Sequence, residues 1–220
     1  MSVDLKFGRR AAISGKTRQM IIVLHGYGAD GADLLGLADP LGAHLPDAVF
    51  YAPDAPDPCA GNPFGRQWFG IPRFDGSTVD QAMTGLARAN DAVSRFMDAR
   101  LKDEGLFPKD LILLGFSQGA MTALHAAPRR STPIAGVVAI SGRLIAPERL
   151  AAETLSKPPV LLLHGDQDEV VDFGEMAVAG DALVAAGFDT YGHVMQGSGH
   201  GIAPDGLQVA LAFMKDRLGV

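Results

Sequence analysis

The order of apolar and amphipathic segments predicts an α/β fold, with a mostly parallel central sheet and helices on both faces. Short apolar runs alternate with longer helical patterns along the whole 220-residue chain, the arrangement of strand–helix–strand units. Several of these runs are apolar throughout, as strands covered on both faces must be. A chain of this length fits one large core and leaves little room for two, so a single domain over 1–220 is expected.

The strand candidates are 20–24 (MIIVL), 49–52 (VFYA), 111–114 (LILL), 137–140 (VVAI), 160–164 (VLLLH) and 190–194 (TYGHV). Between the second and third lies a long helix, 79–101, with Ala82, Leu86, Ala89, Val93, Phe96 and Met97 at helical spacing, so one side faces the sheet. Further helices are predicted over 33–44, 118–127, 173–186 and 204–218, the last with proline in its first turn.

Residues 53–77, PDAPDPCAGNPFGRQWFGIPRFDGS, are too rich in proline and glycine to read as regular structure. A loop this long inside a compact domain is usually functional, and this one follows the end of a strand, where open α/β sheets build their sites. Trp68, Phe69 and Ile71 are therefore expected to edge a substrate cleft. The competing reading is a loop pinned to the core by its aromatics. With the strands and helices placed, too little chain remains for a large cap domain, so the site is expected to be shallow and open.

Nineteen basic against 25 acidic residues leave a net charge of −6, without a basic stripe suited to phosphate backbones. Nucleic acid is not an expected partner. The N-terminus lacks the uninterrupted apolar segment of a signal peptide, and no apolar run approaches membrane-spanning length, so a cytoplasmic protein is expected. Cys59 is the only cysteine, which rules out an intrachain disulfide. It lies in PDPCAGNP with no histidine beside it and reads as a surface thiol, not a nucleophile.

Chemistry concentrates at LILLGFSQGAMTALHAA, which reads strand, sharp turn, helix, with Gly115-Phe116-Ser117-Gln118-Gly119 at the turn. This is G-x-S-x-G in the context that an α/β-hydrolase requires. The glycines admit a tight turn, and the following helix directs free amides toward developing negative charge. In a chain with 27 glycines the bare string is weak evidence, and the flanking strand and helix carry the weight. Ser141, in AISGR, also ends a predicted strand but lacks the elbow and reads as structural.

A serine hydroxyl needs a base and an orienting acid, which in this fold follow the serine in the order acid, histidine. Strand 160–164 runs into Gly165-Asp166-Gln167-Asp168, and strand 190–194 leads to Gly197-Ser198-Gly199-His200-Gly201. His200 is the only histidine in a glycine-rich loop after the last strand and is assigned as the base. His164 and His193 fall within strands and read as packing or hydrogen-bonding residues, while His44 and His125 fall on predicted helices. Of the crowded acids Asp166, Asp168 and Asp172, Asp166 is expected to hydrogen-bond its own turn, and Asp168, two positions on, to reach the histidine. After the first apolar strand, His25-Gly26-Tyr27-Gly28 occupies the place of one half of an oxyanion hole, the other half being the amide of Gln118. A phosphate loop or metal site there is disfavoured, for want of a Walker lysine or a second ligand at metal spacing.

Taken together, LHGYGAD, GFSQGA, LHGDQDEVV and GSGHGI resemble the signature blocks of the carboxylesterase, phospholipase and acyl-protein thioesterase family over nearly the whole chain. The resemblance implies Ser117, Asp168 and His200 as the catalytic set and the Tyr27 and Gln118 amides as oxyanion donors, with no metal or organic cofactor. Two departures bear on substrate range: Gln67-Trp68-Phe69-Gly70 stands where the family often shows Ser-Trp-Phe-Asp, and Glu169 and Asp172 stand where many relatives carry proline. The expected substrate is a small acyl ester or thioester of short to medium chain, cleaved through an acyl-enzyme. A peptidase, a dienelactone-type hydrolase and a non-catalytic ligand-binding homologue are the rival readings. The sequence leaves the oligomeric state open, a homodimer included.

Overall fold

The computed structural model describes residues 5–59 and 62–220. In chain order these form β1 (Phe7–Arg10), β2 (Gln19–Leu24), α1 (Gly31–Leu35), α2 (Ala38–Gly42), β3 (Ala48–Pro53), β4 (Asp57–Cys59), β5 (Asn62–Gln67), α3 (Pro72–Asp75) and α4 (Val79–Glu104). There follow β6 (Leu111–Phe116), α5 (Gln118–Ala126), β7 (Gly136–Ile140), α6 (Leu150–Glu153), β8 (Val160–Gly165), α7 (Gly174–Ala185), β9 (Thr190–Met195) and α8 (Pro204–Leu218). The main sheet runs β1-β3-β2-β6-β7-β8-β9, with only β1 antiparallel to its neighbour.

Because successive side chains of a strand point to opposite faces, each apolar strand feeds two cores. Met20, Ile22 and Leu24 of β2 join α4, α5 and α7 in one, whereas Ile21 and Val23 join α1, α2 and α8 in the other. Helix α4 buries Leu86, Ala89, Val93, Phe96, Met97 and Leu101. It starts in a capping box between Thr78 and Gln81 and stops at Gly105, whose φ of +67° suits glycine at a helix C-terminus. Among the described residues no helix is long and apolar enough to cross a membrane.

Three segments differ from the sequence expectation. Strand β1 has no apolar alternation and is mostly exposed. It is held from outside itself, Phe7 packing edge-on to Tyr51 and Phe96, and Arg9 pairing with Glu104. The helix expected over 33–44 is two short ones, α1 and α2. Pro40 cannot donate a backbone N–H, so it is tolerated only in a first turn, and α2 restarts just before it. His44 falls beyond α2 and is exposed.

The region 53–77 is not a structureless loop. Strands β4 and β5 pair as a hairpin with an irregular register between Pro58 and Cys59, and α3 adds one turn. Cys59 is buried, not a surface thiol. Trp68 and Phe69 are also buried, at 0% and 5% exposure, so neither edges an open cleft; Ile71 keeps part of its surface.

Candidate active site

The elbow follows from two close approaches. A Cβ on Gly119 would lie 2.0 Å from the Leu24 carbonyl oxygen, and one on Gly115 would lie 2.3 Å from the Gly119 carbonyl oxygen. Only glycine lets β6, the turn and α5 close against β2. Ser117, between strand and helix, has φ +54° and ψ −117°, a conformation costing a non-glycine residue roughly 1–3 kcal/mol. Its backbone is gripped on both sides, the N–H donating to Ile140 and the carbonyl accepting from Met121.

The parallel sheet brings three C-terminal strand ends together at this point. Ser117 Oγ lies 3.0 Å from His200 Nε2, and His200 Nδ1 lies 2.8 Å from Asp168 Oδ2. Both Val170 and Val171 donate their amides to Asp168 Oδ1 at 2.9 Å. Burial pushes the Asp168 carboxyl up, but the His200 hydrogen bond and the Val171 and Val170 amides outweigh it and hold the group below the usual carboxylate range. The side chain of Asp168 is fully buried, while that of His200 is 17% exposed, so solvent reaches the histidine and not the acid.

Asp166 plays a different part from Asp168. Its Oδ1 accepts the Gly197 amide at 2.7 Å, so it ties its turn to the loop that carries His200 instead of bonding within the turn. Asp172 accepts the Gly174 amide at the start of α7. His164 is buried in β8, its Nε2 3.0 Å from the Val171 carbonyl oxygen and 3.2 Å from Asp168 Oδ2. That proximity was not legible in the sequence, since the turn's path decides whether the side chains four positions apart meet. His193, on the edge strand, pairs with exposed Asp205 at 2.8 Å and is only partly buried. His125 is buried on α5, and Ser141 is wholly buried at the end of β7.

The expected oxyanion elements sit beside the serine. A Cβ on Gly26 would be 3.4 Å from Ser117 Cβ, which places the Gly26-Tyr27 backbone against the Ser117 side chain. Gln118 opens α5, where helix geometry leaves the first amides without an intrahelical partner. The hairpin secures the opposite side of the loop: Gly28 donates to the Arg66 carbonyl at 2.9 Å and Arg66 donates to the Ala29 carbonyl at 2.8 Å. Gly65 permits this contact, since a Cβ there would stand 2.3 Å from the Gly28 carbonyl oxygen. Sequence reasoning missed this function of β5 because its sign is a tertiary contact.

A mostly parallel sheet flanked by helices, with a strained serine between strand and helix and a histidine and an aspartate on later strand ends, defines an α/β-hydrolase. The chain belongs to the phospholipase/carboxylesterase family, whose pattern it matches over residues 11–218. Membership places its chemistry among hydrolases of esters and thioesters. Among solved structures, esterase PE8 is 42% identical, with a TM-score of 0.93 covering 98% of this chain and 100% of that one. Acyl-protein thioesterase 1 of Saccharomyces cerevisiae is 30% identical over 96% of this chain and 97% of its own. Esterase YpfH of Escherichia coli is 28% identical over 90% of this chain and 82% of its own.

Proposed function

We propose that the protein is a serine carboxylesterase that cleaves acyl esters or thioesters of short to medium chain through an acyl-enzyme. The observation that carries this reading is the continuous line from Asp168 Oδ2 through His200 to Ser117 Oγ, at 2.8 and 3.0 Å. In the first half-reaction His200 Nε2 takes the Ser117 proton as Oγ attacks the acyl carbonyl carbon. The oxyanion forms between the Tyr27 and Gln118 amides, and its collapse expels the alcohol or thiol, which receives the proton from His200. Water then repeats the sequence on the acyl-enzyme and releases the carboxylic acid and Ser117. Asp168, ionised and buried, holds the imidazole with Nδ1–H toward itself and Nε2 free to accept. Of the three loop residues expected to meet the acyl chain, Trp68 and Phe69 are buried and Ile71 is partly exposed, and the acyl contact is assigned to Ile71.

A fluorophosphonate probe tests the assignment. Wild-type protein should carry the adduct on Ser117, and Ser117→Ala should lose both labelling and turnover of p-nitrophenyl esters. Mass-spectrometric recovery of the adduct on Ser141 or Cys59 would refute it. Parallel assays on aminoacyl nitroanilides separate an esterase from a peptidase, and turnover of the amides at rates matching the esters would favour the latter.

A further inference from the structure

The residue after the proposed nucleophile carries a polar side chain that never reaches the site. Gln118 is wholly buried, and its amide group spans to the segment after β5. Its Oε1 accepts the Trp68 backbone N–H at 2.9 Å, and its Nε2 donates to the Phe69 carbonyl at 2.6 Å. Trp68, equally buried, sends its indole Nε1–H across to the His25 carbonyl at 2.9 Å. The His25 ring, 5.3 Å from the indole, accepts the Ala55 amide on Nε2 at 3.0 Å. Its proton therefore sits on Nδ1, which donates to the Gly26 carbonyl at 2.7 Å. Burial holds this imidazole below its ordinary pKa, in keeping with a neutral ring.

These bonds make a continuous path. It starts at Gln118, passes through the backbone of Trp68 and Phe69, crosses the indole to His25, and ends on Gly26, the residue before Tyr27. The two backbone amides proposed to bind the oxyanion, Tyr27 and Gln118, thus stand at its two ends. The path adds to direct contacts, since Gly119 packs against the Leu24 and His25 carbonyls and Gly26 lies against Ser117. Buried polar groups joined this way admit few alternative arrangements, since each broken bond strands a donor or acceptor away from water.

We infer that the Gln118 side chain and the Trp68 indole are positioning residues that set the spacing of the Tyr27 and Gln118 amides, and so the fit of the oxyanion. The inference rests on the reading of Ser117 as nucleophile. It explains why an indole, and not just an aromatic ring, is used at position 68: the ring fills space, and its N–H fixes the loop. An oxyanion donor removed outright costs about 10²–10³ in rate, so a donor left in place but loosened is expected to cost about tenfold.

Trp68→Phe removes the indole N–H and keeps an aromatic ring, and Gln118→Met removes both amide bonds at similar length. Each is compared with wild type for kcat and KM on p-nitrophenyl butyrate, the pH profile of kcat/KM, the affinity for a trifluoromethyl ketone, and fluorophosphonate labelling. Trp68→Phe should lower kcat about tenfold, with KM within about twofold of wild type and ketone affinity falling in parallel. Gln118→Met should lower both further. The pH midpoint should stay in place, because the His200–Asp168 pair is untouched, and Ser117 should still be labelled. A lower thermal midpoint with unchanged kcat and ketone affinity would reduce both residues to structural roles and overturn the inference; so would a loss of kcat accompanied by a moved pH midpoint. Should Gln118→Met fail to fold, Trp68→Phe carries the test. Wild-type protein that takes no label at Ser117 would overturn the underlying reading instead, a result distinct from any shift among labelled variants.

Discussion

Replacing Asp168 by asparagine tests the proposed triad in a way whose outcome the hydrogen bonds dictate. The carboxylate has two unlike sides: Oδ1 receives two amides, from Val170 and Val171, and Oδ2 faces His200 Nδ1 at 2.8 Å and His164 Nε2 at 3.2 Å. An asparagine must put its oxygen on one side and its NH2 on the other. Turning the NH2 toward Val170 and Val171 would oppose two buried donors, at about 1–3 kcal/mol each for groups left unsatisfied. The NH2 therefore takes the Oδ2 position, where the His164 Nε2–H keeps the Val171 carbonyl as its acceptor, and donates to His200 Nδ1. The imidazole proton then moves to Nε2, so that this nitrogen points an N–H at Ser117 Oγ and cannot accept the serine proton. Loss of a triad acid in this manner lowers kcat by about 10⁴, equivalent to about 5.4 kcal/mol of transition-state stabilisation at 1.36 kcal/mol per decade. Steady-state kinetics on p-nitrophenyl butyrate should show that loss in kcat with little change in KM, in a variant with near-native circular dichroism because the Oδ1 bonds persist. Asp166→Asn, which bears on the Gly197 amide and not on His200, should keep most of its rate. A loss below tenfold for Asp168→Asn, or an equal loss for Asp166→Asn, would refute the reasoning.

Two further predictions concern stability. Burial, followed by the nearby Arg129, pushes the His125 imidazole down from 6.5 to about 4. Its folded value lies below its unfolded one, so acid favours the unfolded state, and stability drains as pH falls from about 6.5 to about 4. The gap corresponds to about 3 kcal/mol; urea denaturation of His125→Met should show a pH 7 to pH 4 loss smaller than wild type by that order, and equal losses would exclude the residue. Glu104 accepts the Tyr51 hydroxyl at 2.5 Å and Arg9 Nη2 at 2.8 Å. Burial raises its carboxyl, but the Tyr51 and Arg9 bonds prevail and hold it below the ordinary value. Glu104→Gln should cost about 1 kcal/mol at pH 7, at the low end for a charged hydrogen bond because Arg9 is 41% exposed. That deficit is present above the ordinary carboxylate value and should vanish as pH falls through the lowered folded one. A deficit that persists in acid would assign it to packing.

Much of the architecture is written locally. The runs at β2, β3, β6, β7 and β8 are buried along their length, and an uninterrupted apolar run has few places to go except a strand covered on both faces. The elbow is legible too, since Gly115 and Ser117 are placed by the turn itself, while Gly119 is also required by the approach of Leu24 from β2. The order of serine, acid and histidine along the chain follows from the order of the strands that carry them.

What the linear pattern left out depends on contacts between segments far apart. Strand β1 is stabilised by Glu104 and Phe96, nearly a hundred residues away, and its own residues show no alternation to betray it. The hairpin β4–β5 owes its place to hydrogen bonds with the loop after β2, despite the prolines and glycine that made it read as a plain loop. Trp68 shows the difference most clearly. From sequence it is a large aromatic in a long surface loop and a candidate for the cleft; in the fold it lies at 0% exposure with its N–H on the His25 carbonyl. Residue type and spacing specify which groups prefer to be buried, but which side of a loop turns inward is settled only when the partner that satisfies it arrives from elsewhere in the chain.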